Sequence, residues 1–226
     1  MMTRIALITG VQEEADAFAP DATTGHSTHA GFNVRHVSLG RRSIVVACSG
    51  VGKVNAATAA TLLSHLHDAQ LLMVIGTAGK IGNHVGDCFY IHEAVQNDYG
   101  ARRPNGFAHY RGGSWPIGPA DTTPFRALEA PHCPLPRARI ATGDAFIECP
   151  DHARDMAAQL GATLVDMETA AVAQAAERLG LPWMAIKATT DDANGESAGD
   201  FSANLTRAAR RAAEATEAVL LGELRT

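Results

Sequence analysis

Aromatic side chains are scarce in this sequence, at 5% of residues, and the long apolar runs of a membrane protein are missing altogether. A spanning helix needs roughly 20 apolar residues, so no membrane partner is expected. A basic excess is missing too: 19 Lys and Arg stand against 24 Asp and Glu, a net charge of −5. Grooves that track a polyphosphate backbone carry a surplus of cations, and nucleic acid is therefore not an expected partner. Cysteine is sparse. Cys48, Cys88, Cys133 and Cys149 form no CxxC pair and read as reduced apolar fillers. The apolar run Ile5–Ile8 is too short for the core of a secretory signal, and Glu13 and Glu14 follow it. The expected compartment is cytoplasmic.

Motifs for bound cofactors and metals are incomplete. Gly50-Val51-Gly52 with Asn55 lacks the third glycine of a dinucleotide fingerprint, and Gly52-Lys53 lacks the rest of a phosphate-binding loop. His92-Glu93-Ala94-Val95-Gln96 offers one histidine where a zinc helix needs two. His65 and His67, two apart, would face away from each other on a helix. Neither a metal nor an organic cofactor is expected.

What the sequence does contain is Ala, Val, Leu and Ile in abundance, within a hydrophobic fraction of 46% over 226 residues. That is enough for one core of ordinary size. Compact runs at Ile5–Thr9, Leu71–Ile75, Cys88–Ala94, Arg139–Thr142, Leu164–Val165 and Trp183–Ala188 read as strands. Phe32–Ser38 and Ser43–Ala47 read as a hairpin through Leu39-Gly40-Arg41-Arg42. Helical spacing marks Gln12–Phe18, Gly52–His67, Glu168–Leu179 and Phe201–Leu221. The Gly76-Thr77-Ala78-Gly79 segment is expected to stop the strand before it. Residues 96–136, rich in Gly, Pro and Arg with several aromatics, read as one or more long functional loops containing at most a helical turn. Strands alternating with helices predict an α/β fold with a mostly parallel or mixed sheet between helical layers, as a single domain over residues 1–226.

Ligands of open α/β sheets bind where strands end, and acids cluster at such points: Glu13 and Glu14, Asp144, Asp166 and Glu168, Asp191 and Asp192. One carboxylate near a helix start merely complements the helix dipole; four strand ends converging with acids and few bases point further. The segments Ile5–Glu14, Ser49-Gly50-Val51-Gly52-Lys53-Val54-Asn55-Ala56-Ala57, Gly76-Thr77-Ala78-Gly79, Val85-Gly86-Asp87, Thr142–Ile147, Val165-Asp166-Met167-Glu168 and Lys187–Asp191 occur in the order seen in the nucleoside phosphorylase/nucleosidase superfamily. The chain resembles that superfamily over nearly its whole length, and most of all its methylthioadenosine/S-adenosylhomocysteine nucleosidases.

The resemblance implies a three-layer α/β/α sandwich around a mixed sheet, with a purine nucleoside as substrate. It implies that Asp191 protonates or hydrogen-bonds N7 of the departing base, a contribution of roughly 10²–10⁴-fold. A carboxyl that gives up a proton in this way must be held protonated, by burial away from cations. Glu14 matches the residue that orients and deprotonates the attacking water. Glu168 matches the acceptor of the ribose hydroxyls, with two oxygens suited to a diol. Met167 would pack under the sugar, Phe146 would stack on the base with the Ile147 backbone at its edge, Phe201 would cover the nucleoside, and Thr77 would line the water or phosphate position. Asp192 is expected to be a bystander.

The superfamily's phosphorylases hold phosphate with arginines in the loop after the first strand and just ahead of the segment matching Gly76–Gly79. Here those places carry Gln12-Glu13-Glu14 and Val74-Ile75, so water is the expected nucleophile, although Arg102, Arg103 or Arg111 of a neighbouring subunit could supply a cation. Asp166 and Lys187 stand where bacterial methylthioadenosine nucleosidases carry Glu and Arg. The combination resembles plant-type enzymes and suggests a mutually compensating pair. The substrates expected are 5′-methylthioadenosine first and S-adenosylhomocysteine next, with futalosine or another 6-substituted purine nucleoside left open. A phosphate-dependent phosphorylase and a non-catalytic nucleoside-binding relative are the competing classes. Mere binding needs no water-activating base, which disfavours the latter. Family nucleosidases complete the 5′ pocket from a partner subunit, so a homodimer is expected, with residues 96–118 as the contributor.

Overall fold

The computed structural model describes residues 2–82, 85–130 and 132–222. In chain order its elements are β1 (Thr3–Thr9), α1 (Gln12–Ala17), β2 (Thr23–His29), β3 (Phe32–Leu39), β4 (Arg42–Cys48), α2 (Lys53–Leu66), β5 (Leu71–Lys80) and β6 (Cys88–Gln96). Then follow β7 (Gly100–Arg103), β8 (Gly106–His109), β9 (Phe125–Arg126), β10 (Arg137–Thr142), α3 (Pro150–Leu160), β11 (Leu164–Asp166), α4 (Thr169–Leu179), β12 (Trp183–Asp191) and α5 (Ser197–Leu221).

Ten of these strands form one mixed sheet in the order β11-β10-β6-β12-β5-β1-β4-β3-β2, with β9 paired to β6, and β7 pairs with β8 in a separate two-stranded sheet. β1 lies parallel between β4 and β5, and β5 runs parallel to β12. β12, the last strand in the chain, is thus inserted between β5 and β6. β11 pairs parallel with β10 and, antiparallel, with Gly79 and Lys80 of β5. That second pairing closes β5, β12, β6, β10 and β11 into a ring.

Alternate side chains go to opposite faces of a strand, and the core divides accordingly. Ala6 and Ile8 of β1, Leu72 and Val74 of β5, and Trp183 and Ala185 of β12 pack against α2 and α4. Ile5 and Leu7, Met73 and Ile75, and Met184 and Ile186 pack against α1 and α5. Both faces of the central strands are covered, so they read as unbroken apolar runs. Alanines at the contacts (Ala56, Ala59 and Ala60 on α2; Ala170, Ala173 and Ala176 on α4) carry no bulk and let the helices lie close. On α5 the buried positions 208, 212, 216 and 220 recur every four residues, one stripe of a long amphipathic helix. A smaller third cluster packs Ala153, Met156 and Leu160 of α3 against Val95, Ala141 and Val165. The architecture is a three-layer α/β sandwich with a central mixed sheet, as the sequence predicts.

Several boundaries differ from expectation. β5 does not stop at Gly76: residues 77–79 continue pairing with β12, because a glycine at φ +147° bends the strand without ending it. The 96–136 stretch is only partly loop. Gly100–Arg103 and Gly106–His109 form a hairpin, β9 returns to the sheet, and no helical turn occurs among its described residues; Pro131 lies outside these. α5 begins four residues before Phe201, with the Ser197 hydroxyl accepting the Asn194 N–H at 2.7 Å. β2 and α3 are additions to the sequence-predicted elements.

Candidate active site

The loops leaving the carboxyl ends of β1, β5, β10, β11 and β12 surround a cavity of about 520 Å³. Glu14, Thr77, Phe146, Ile147, Met167, Glu168, Asp191 and Phe201 all border it. Asp192 is exposed and does not.

Glu14 is buried at the third position of α1, where its Oε2 accepts the N–H groups of Gly10 (2.9 Å) and Val11 (3.2 Å). A glutamate here reaches back to the unpaired amides of the helix start. Its Oε1 accepts both the N–H (2.7 Å) and the hydroxyl (2.8 Å) of Thr77. The bend in β5 makes room for this carboxylate: a Cβ on Gly76 would lie 2.5 Å from Glu14 Cδ.

Glu168 lies at the start of α4, buried, and its Oε1 accepts the Gly52 N–H at 3.1 Å. Behind it, fully buried Lys187 of β12 places Nζ 3.0 Å from Asp166 Oδ2 and 3.8 Å from Glu168 Oε2. Asp166 is further held by the Thr142 hydroxyl on Oδ1 (2.6 Å) and by the Thr169 N–H (3.0 Å) and hydroxyl (2.5 Å) on Oδ2. Burial pushes the Glu168 carboxyl up to about 7, with Lys187 and the Gly52 N–H opposing and Asp166 and Glu14 reinforcing. Burial also works against the Lys187 ammonium, but Asp166, Glu168 and Glu14 outweigh it and hold the amine above its ordinary pKa. These two directions are compatible, because one cation is shared unequally between two carboxylates and the nearer one takes more of it.

Asp191 ends β12 just after a bulge that places Asp191, not Thr190, opposite Gly79. Its Oδ1 accepts the Ala193 N–H (3.0 Å) and its Oδ2 the Thr190 hydroxyl (2.8 Å). No ion-pair partner for Asp191 occurs among the described residues. Thr77 and Gly79, which mark the places of Glu14 and Asp191, are two residues apart on β5, about 7 Å along an extended strand. The remaining wall is apolar: Phe146 and Phe201 meet edge to face at 5.9 Å between ring centres, with Ile147 and Met167 nearby.

Cavity residues that the sequence did not single out include Val11, Val51, Thr190, Ala198 and Ser202. Ala198 was hidden by the late expected start of α5, and Ser202 lay inside the expected helix with nothing to mark it. Thr190 carried the only advance signal, a hydroxyl next to the acid. Two arginines of the 96–118 segment are engaged elsewhere: Arg111 makes a twin bond to Glu177 (2.9 and 2.6 Å) over the Phe125 ring, and Arg103 is held by the Tyr110 hydroxyl and the Gly118 carbonyl, while Arg102 is exposed on β7. Among the described residues no arginine, lysine or histidine lines the cavity.

Comparison with known proteins agrees with this architecture. A 5′-methylthioadenosine/S-adenosylhomocysteine nucleosidase of Mycobacterium bovis is 28% identical over 73% of this chain and 75% of its own. One from Staphylococcus aureus is 26% identical over 94% and 97%. A futalosine hydrolase structure from Helicobacter pylori superposes with a TM-score of 0.84 over 98% of this chain and all of that one, at 20% identity, a likeness of fold. The model of the phosphorylase superfamily matches residues 4–221, and the chain belongs to that superfamily.

Proposed function

We propose that the protein is an N-glycosidase that hydrolyses the purine–ribose bond of 5′-methylthioadenosine and, second, of S-adenosylhomocysteine, releasing adenine. The observation that carries this is the polar lining of the cavity: Glu14, Asp166, Glu168 and Asp191, with no cationic side chain among the described residues facing in. A phosphate nucleophile would meet repulsion there, whereas water would not. The nucleosidases of Mycobacterium bovis and Staphylococcus aureus support the choice of nucleoside.

Breaking this bond builds positive charge on the sugar and negative charge on the base. Asp191 gives a proton or hydrogen bond to N7 as the base departs. Glu14 orients the attacking water and takes its proton. Its four hydrogen bonds occupy both oxygens, and the longest, from Val11, is the one a water replaces most cheaply. Glu168 offers Oε2 to the ribose hydroxyls, since its one ion-pair partner there among the described residues is Lys187 at 3.8 Å, and its negative charge favours the oxocarbenium-like sugar. Phe146 stacks on the base, the Ile147 backbone meets the base edge, Met167 lies beneath the sugar and Phe201 covers the nucleoside. Thr77 fixes Glu14.

The proposal extends to a cytoplasmic homodimer. Reduced Cys48, Cys88, Cys133 and Cys149 accord with that compartment, and no helix among the described residues is long and apolar enough to cross a membrane. The test of function is a nucleoside panel assayed for free base with and without phosphate. Adenine and free methylthioribose from 5′-methylthioadenosine in phosphate-free buffer are expected. Turnover that required phosphate and gave a sugar 1-phosphate would make the protein a phosphorylase, and preference for a 6-substituted nucleoside would change the substrate.

A further inference from the structure

Three carboxylates, Glu14, Asp166 and Glu168, crowd against a single cation that does not itself line the cavity. Lys187 projects from the middle of β12, fully buried, and its Nζ is 3.0 Å from Asp166 and 3.8 Å from Glu168. A buried ammonium without partners is too costly to keep, so the acids hold the lysine charged, and the lysine in turn lets the acids coexist. Asp166 borders the cavity, but its carboxylate is not free to meet a substrate. Its two oxygens are already engaged by Thr142, Thr169 and Lys187. It therefore acts on the site through the cation it holds.

We infer that Lys187 is a positioning residue that holds the ribose-binding carboxylate Glu168 in place and in its charged form, with Asp166 as the competing partner that limits how much of the cation Glu168 receives. The inference rests on the proposed nucleosidase activity only for its kinetic consequences. The groups facing Glu168 come from every element around it: Lys187 from β12, Asp166 from β11, Glu14 from α1, and the Gly52 N–H at the start of α2. Of these only Lys187 carries positive charge. Removing it and removing its competitor must therefore move Glu168 in opposite directions. A role in packing alone would lower activity in both variants without that opposition.

The two variants are Lys187→Met and Asp166→Asn. The asparagine can be accommodated, since the Thr142 hydroxyl, which already accepts the Ala170 N–H at 2.9 Å, can turn to accept from an amide in place of Oδ1. The direct measurement is the titration of the Glu168 carboxyl by ¹³C NMR in protein labelled at glutamate, the signal being assigned by its loss in Glu168→Gln. The wild-type midpoint is expected near pH 7. Asp166→Asn should lower it and Lys187→Met should raise it, each by about 1–3 pH units, the usual effect of one charge at this distance. The acid limb of kcat/KM for 5′-methylthioadenosine should move in the same two directions. An unmoved midpoint, or two shifts of the same sign, would overturn the inference. Should Lys187→Met not fold, Lys187→Gln, which removes the charge and keeps a hydrogen-bonding head, carries the same expected upward shift, and its absence overturns the inference. Midpoints in the expected order in a protein that releases no adenine would uphold the role of Lys187 and remove the nucleosidase function.

Discussion

At Asp191 binding and chemistry can be separated, because an amide donates a hydrogen bond but cannot surrender a proton. Asp191→Asn should cost purine nucleosides about 2.7–5.4 kcal/mol of transition-state stabilisation. A riboside of nitrophenolate, which leaves as a stable anion, should lose far less, whereas Glu14→Gln should impair both substrates because both need an activated water. Paired kcat/KM values on the two substrates check this, and equal damage by Asp191→Asn would mean that the residue only positions the nucleoside. Individual acids such as Glu14, Glu168 and Asp191 were legible in the sequence, since each follows an apolar run that had to be a buried strand. Their relations were not. The sharing of Lys187 between Asp166 and Glu168 depends on β11 and β12 delivering side chains to one point, which no spacing along the chain expresses. Thr190 and Ser202 likewise carry no signal apart from their neighbours.

Among the elements, β5 carries three successive cavity residues, Thr77, Ala78 and Gly79. Its first half is ordinary core, and its second half borders the cavity through Thr77–Gly79 while still pairing with β12. Gly76→Ala must tolerate φ +147° and bring a methyl group against the Glu14 carboxylate. Stability should fall by about 1–3 kcal/mol, the usual cost of a side chain in such a backbone region, and kcat/KM by about 10²-fold, the effect of displacing a reacting group by an ångström. Urea unfolding and steady-state kinetics measure the two separately. A stable variant of full activity would show that Glu14 is not held by this bend. The same glycines explain why the strand looked finished in the sequence: small residues that admit a carboxylate are also the residues of turns. β2 was hidden for another reason. Thr23–His29 is an edge strand with little buried surface, so it lacks an apolar face to read. In α3 the buried positions 153, 156 and 160 have helical spacing, but they are only three apolar anchors in a largely polar stretch.

For the molecule as a whole, the most exposed large apolar side chains among the described residues are Val85, at 94%, then Trp115 and Ile117 in the 96–118 segment and Val54 on α2, at 81%, 71% and 76%. Burial of such side chains stabilises association, and a dimer of twice the chain mass is expected by light scattering at assay concentration. A fully active monomer would exclude it. The position of β12 bears on how the chain is made. Because this final strand is inserted between β5 and β6, a polypeptide emerging from the ribosome completes β1 through β11 while the centre of its sheet is still vacant. Until Trp183–Asp191 is released, β5 and β6 have no strand between them, the ring is open, and the acid at the end of β12 is absent from the site. Strand pairings this distant in sequence form slowly, and unpaired edges attract one another in partly folded chains. The cavity is therefore among the last parts of the molecule to exist, and a chain interrupted before residue 183 has, in place of a weakened site, two partial sheets joined only through the short pairing of β11 with Gly79 and Lys80.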